Sequence, residues 1–109
     1  MNFKKHPWQS ADATQYINFL AEDGISTLHY TAHCKDRMKE RGIIIRDILY
    51  VLKHGFVYTA PDTATRDFYK YKVESVSPNS ENRKIRVVVL VDETKREMKI
   101  ITVMFVDEL

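Results

Sequence analysis

Lys84-Ile85-Arg86-Val87-Val88-Val89-Leu90-Val91-Asp92 is the stretch on which the fold turns. Ile85, Val87, Val89 and Val91 occupy one parity, and Lys84, Arg86, Val88, Leu90 and Asp92 the other. Successive side chains of a strand point to opposite faces, so this pattern predicts a strand over 84–92 with one wholly apolar side. The same period of two holds on either side of it, over Asp67 to Glu74 and Met98 to Val106, both rich in Val, Ile, Tyr and Phe. Ser77-Pro78-Asn79-Ser80 and Asp92-Glu93-Thr94-Lys95-Arg96 join the three runs and are short enough for hairpins, which predicts an antiparallel meander. In the first strand Tyr69, Tyr71 and Val73 oppose Phe68, Lys70, Lys72 and Glu74; in the last, Ile101, Val103 and Phe105 oppose Ile100, Thr102, Met104 and Val106.

Upstream the period is helical. Residues 1–7 read as a loose arm. Ser10 reads as the N-cap of a helix over about residues 9–23, in which Ala13, Tyr16, Ile17, Leu20 and Ala21 recur until Asp23-Gly24 ends the run. Ile25 to Tyr30 alternates too weakly to assign. Thr31 offers a cap for a second helix, which Gly42 ends at a position that favours positive φ. Ile45, Ile48, Leu49 and Leu52 mark a third, with Lys53 and His54 in its last turn and Gly55 after it; Ile44 stands where Ser or Thr would cap it. Pro61-Asp62-Thr63 reads as a turn or loop. Helices followed by strands indicate one α+β domain over 1–109, with N-terminal helices packed on one face of a three- to four-stranded antiparallel sheet.

At 109 residues the chain is long enough for one modest core, and its 44% hydrophobic and 29% charged content fits a soluble globular protein. The formal net charge of +2 permits nucleic-acid binding without arguing for it, so that case rests on local clustering. The single cysteine, Cys34, excludes an internal disulfide, points to an intracellular, cytoplasmic protein, and reads as a small buried hydrophobe rather than a nucleophile. The histidines at 6, 29, 33 and 54 show no ligand spacing with it, so no metal and no cofactor are expected. No apolar run suggests a signal peptide or a membrane span.

The chemistry concentrates in Thr31-Ala-His33-Cys-Lys-Asp-Arg37-Met-Lys-Glu-Arg41-Gly42-Ile43. At about 100° per residue, His33, Arg37 and Arg41 fall on a helical stripe roughly 80° wide. Cations so placed repel one another unless an anion such as a phosphate belongs nearby, or unless Asp36 or Glu40 bridges them. Lys70, Lys72, Arg86 and Thr102 share the second side of the expected sheet, which makes either a phosphate-binding cleft or an ordinary solvated face.

The His-x3-Arg-x3-Arg-Gly-Ile element, a short helix ending in Gly, and strands with an Arg-Val-Val-Val core and a closing Ile-Thr-Val together resemble a small bacterial family of unknown function. That family looks like a branch of the RelE/barnase-like ribonuclease superfamily, the fold of many toxin–antitoxin toxins. The resemblance spans residues 28–106 and leaves 1–24 as an added arm and helix. It implies RNA cleavage without metal, in which the ribose 2′-hydroxyl attacks the adjacent phosphate. His33 would be the acid or base, since an imidazole ordinarily titrates near pH 6.5. Arg37 and Arg86 would hold the scissile phosphate, Arg41, Lys70 and Lys72 would anchor flanking phosphates, and Thr102 would orient the substrate or a water. Tyr69 or Tyr71 would stack on a base if either faces outward. RNA and an antitoxin protein are the partners implied. Two alternatives stand beside it: a non-catalytic nucleic-acid- or protein-binding module of the same fold, and an interaction protein using Trp8, Tyr16, Phe19 and Leu20 as anchors.

Overall fold

A computed structural model describes residues 1–65 and 67–109. In chain order its elements are α1 (Ser10–Leu20), β1 (Thr27–Tyr30), α2 (Ala32–Arg41), α3 (Ile45–His54), β2 (Phe56–Val57), β3 (Asp62–Thr65), β4 (Phe68–Ser75), β5 (Ile85–Asp92), β6 (Glu97–Phe105) and a 3-10 turn, Val106–Glu108. The fold is α+β, as the order of periods predicts. The sheet, however, is mixed and has six strands among the described residues, in the order β1-β6-β5-β4-β2, with β3 also paired to β4. The expected meander is its centre: β4, β5 and β6 pair antiparallel in sequence order. The edges correct the expectation. β1 runs parallel to β6, with Thr27 opposite Glu97 and Tyr30 opposite Ile100. Asp62 and Thr63, read as a turn, belong to β3 and pair with Lys70 and Tyr69 of β4. None of the helices is long and apolar enough to cross a membrane among the described residues.

Alternation on β5 is as read: Ile85, Val87 and Val89 are fully buried and the intervening residues half-exposed. On β6 the phase changes. Val88 pairs with Thr102 but Val89 pairs with Ile100, which leaves Ile101 as the extra residue of a β-bulge. One inserted residue reverses the sidedness of everything beyond it. Met98 and Ile100 therefore enter the core before the bulge, and Val103 and Phe105 after it, while Ile101 is half-exposed. The uniform alternation expected for this strand, with Ile101 inside and Ile100 outside, fails there.

α1 and α3 cover the buried side of the sheet through Ala13, Tyr16, Ile17 and Leu20 and through Ile48, Val51 and Leu52. The buried stripe of α3 thus starts at Ile48; Ile45 is half-exposed, at 51%. Gln9, not Ser10, occupies the N-cap of α1, with no side-chain cap bond. At α3 the missing cap hydroxyl at Ile44 is offset from the other direction. The buried Asp47 carboxylate accepts the Ile44 N–H at 3.0 Å with one oxygen and the Ser77 hydroxyl with the other. Both stabilise a carboxylate that burial would otherwise penalise. Gly42 ends α2 at φ 67°, as the sequence predicts.

Residues 1–7 are not a loose arm. Phe3 packs edge-on against Tyr16 at 5.0 Å, and the indole N–H of Trp8 donates to the Lys4 carbonyl at 2.7 Å. His6 bonds Tyr71 Oη through Nδ1 and Glu93 through Nε2, each at 2.8 Å. Trp8, Tyr16 and Leu20 are each buried to within 5% and Phe19 is packed against the same core, so they are core residues rather than partner anchors.

Candidate functional site

α2 begins where β1 leaves off beside β6. The Thr31 hydroxyl accepts the Cys34 N–H at 3.0 Å, which caps the helix, and donates to the Ile101 carbonyl at 2.9 Å. The Thr31 N–H donates to the Ile100 carbonyl at 3.2 Å. These bonds attach the first turn of α2 to the bulge of β6. Cys34, buried as expected, turns to the core, and its thiol is raised above its ordinary pKa by that burial, as suits an inert packing residue. The adjoining stripe of the helix, His33–Arg37–Arg41, borders the C-terminal half of β6.

There His33, Arg37, Arg41 and Thr102 line one pocket of about 330 Å³, together with Val103, Met104, Glu108 and Leu109. The helical stripe and the strand hydroxyl read separately in the sequence therefore meet. His33 is exposed, while Arg37 and Arg41 are partly buried. The two arginines are already paired with carboxylates. Glu40 bonds Arg37 and lies 3.5 Å from Nη1 of Arg41; Glu108 accepts from Nε of Arg41 at 2.7 Å. The bridging by Glu40 is thus realised. Burial acts to raise the Glu108 carboxyl, but the hydrogen bonds from Arg41 and from the Phe105 N–H outweigh it and hold the group below the ordinary carboxylate range.

The other site residues share the same side of the sheet and lie outside this pocket's lining. Across β4, β5 and β6 the register gives the rows Glu74–Arg86–Met104 and Lys72–Val88–Thr102, and Lys70 lies beside Leu90. Strands are about 4.8 Å apart, so Arg86 is one strand from the pocket wall at Met104 and Lys72 is two strands, roughly 10 Å, from Thr102. Arg86 donates to Glu74 at 2.7 Å and Lys72 stands 3.3 Å from Asp62. Two of these three cations, Arg86 and Lys72, are therefore held in ion pairs on this side of the sheet. Tyr71 is fully buried and cannot stack on a base; Tyr69 is partly buried, its ring stacked 6.0 Å from that of His6.

Two residues of the site escape a sequence reading. Glu108 reaches Arg41 across 67 positions, and Arg83 clamps Asp107 through two bonds of 2.8 and 2.9 Å while its guanidinium lies 3.6 Å from the Phe105 ring centroid. Both depend on the chain folding back after β6, for which Asp107-Glu108 gives no periodic signal.

Residues 30–105 match the family described as Domain of unknown function (DUF4258). The chain belongs to that family. The DUF4258 stretch runs from the last residue of β1 to the last of β6 and contains His33, Arg37, Arg41, Lys70, Lys72, Arg86 and Thr102. The arm, α1 and Glu108 lie outside it. No curated protein matches the chain, and no solved structure does.

Proposed function

We propose that this DUF4258 chain is a toxin-like RNA-binding domain of RelE-like fold, and that its His33 pocket is a metal-independent endoribonuclease site. The observation that carries the reading is the meeting of His33, Arg37, Arg41 and Thr102 in one pocket. RNA carries its own nucleophile. The 2′-hydroxyl attacks the adjacent phosphorus, its proton passes to a base, and the 5′-oxygen leaves with a proton from an acid. A 2′,3′-cyclic phosphate and a free 5′-hydroxyl result. The protein has to supply proton transfer and positive charge around the phosphorane. His33 serves as the acid or base, Arg37 and Arg86 hold the scissile phosphate, and Thr102 orients it. Arg41, Lys70 and Lys72 serve flanking phosphates along the same sheet face. In this reading the chain acts in the cytoplasm and is restrained by an antitoxin protein.

A second reading has its own support. The pairing of Arg37 with Glu40, Arg41 with Glu108, Arg86 with Glu74 and Lys72 with Asp62 is what a non-catalytic nucleic-acid- or protein-binding module of this fold would also show. Induced expression separates the two. The ribonuclease reading predicts growth arrest with fragmented cellular RNA for the natural chain and neither for His33→Ala. Arrest by both chains with intact RNA would leave the binding module.

A further inference from the structure

The 3-10 turn after β6 places carboxylates on two arginines. Asp107 takes the Arg83 guanidinium in a two-bond clamp, and Glu108 takes Nε of Arg41. A second pocket, of about 430 Å³, adjoins the His33 pocket and shares Arg41 and Glu108 with it, adding Arg83 and Phe105 to its wall. Arg41 thus stands between two concavities with its Nε–H turned to an acid of its own chain. Its Nη1 is buried, and among the described residues it has no hydrogen-bond acceptor, the Glu40 carboxylate being 3.5 Å away. A guanidinium grips a phosphate best through two parallel N–H groups, and here Glu108 engages only one.

We infer that Glu108 is a built-in competitor: its carboxylate occupies the place of a substrate phosphate on Arg41, and a nucleic-acid phosphate binds there in two-bond fashion by displacing it. The inference rests on the reading of the His33 pocket as a phosphate site. Asp107 on Arg83 keeps the turn seated, so that Glu108 remains beside the site after displacement. A strand entering the His33 pocket would continue across Arg41 toward Arg83, which makes the second pocket a flanking phosphate subsite.

Fluorescence anisotropy with a labelled, mixed-sequence RNA oligonucleotide at low salt tests this on the full chain. Glu108→Gln should bind roughly fivefold more tightly than the natural chain, the factor expected from removing one negative charge about 4 Å from the anion in a solvent-like dielectric. Asp36→Asn, the same change of charge placed on α2 instead of the 3-10 turn, controls for net charge and should move affinity less. Equal affinities for the two variants, with binding weakened by Arg37→Ala, would overturn the competitor and leave the phosphate site standing. Absence of RNA binding by every chain would overturn both. Should Glu108→Gln loosen the turn, the Arg41 Nε–H resonance of the natural chain reports instead. It should shift on addition of RNA, and a resonance unmoved at saturation would contradict displacement.

Discussion

The hydroxyl of Thr31 and the carbonyl of Ile101, 70 positions apart, are joined by a 2.9 Å hydrogen bond. One side chain therefore caps α2 and engages the bulge of β6, and this double attachment sets His33 beside Thr102. Thr31→Ala should lower stability by about 1–2 kcal/mol, the cost of a lost cap together with a carbonyl left without its donor. Thr31→Ser, which keeps the hydroxyl, should recover most of it. Chemical denaturation of the three chains measures this, and an alanine variant as stable as the natural chain would contradict the role.

The bulge makes a second expectation. Ile100 is fully buried and Ile101 half-exposed, the reverse of what uniform alternation with Val103 and Phe105 inside requires. Ile100→Ala should cost about 2–4 kcal/mol through lost burial and an unfilled cavity, and Ile101→Ala under about 1.5 kcal/mol. Equal or inverted costs in denaturant unfolding would place the phase change elsewhere.

The parts of the fold legible in the sequence are those whose signals are local. Thr31 and Gly42 announce the ends of α2, and the valines of β5 announce the central strand. What escapes is non-local. β1 is four residues long and takes its partner from β6, 70 positions away. β3 is mostly exposed, so it has no apolar alternation to read. Of the site, the His33–Arg37–Arg41 stripe follows from helical spacing alone. Its meeting with Thr102 needs the long-range bond of Thr31 to Ile101, and its neutralisation by Glu108 needs the fold-back after β6. The N-terminal arm looked unstructured because Pro7 interrupts it and its aromatic residues are spaced without period; it is held by side-chain bonds to distant strands and turns.

Tyr71 gives the fold an alkaline signature. Burial pushes its hydroxyl from the ordinary 10.0 up to about 12, against the lowering effect of the Trp8 N–H. The folded chain thus holds this proton more tightly than the unfolded chain does. The resulting stability is complete below pH 10.0 and is lost as pH rises through about 12. Tyr71→Phe gives up the bonds to Trp8 and His6, costing about 1–2 kcal/mol at neutral pH, but its stability should fall less steeply across that alkaline window. Denaturant unfolding at a series of pH values measures both slopes, and identical slopes would contradict the assignment.

Incubation of the purified chain with a mixed-sequence RNA in the presence of a chelator tests the ribonuclease proposal most directly. The account predicts fragments ending in 2′,3′-cyclic phosphate from the natural chain, and none from His33→Ala, which still binds the RNA. Intact RNA with the natural chain, or equal cleavage by the alanine variant, would contradict it.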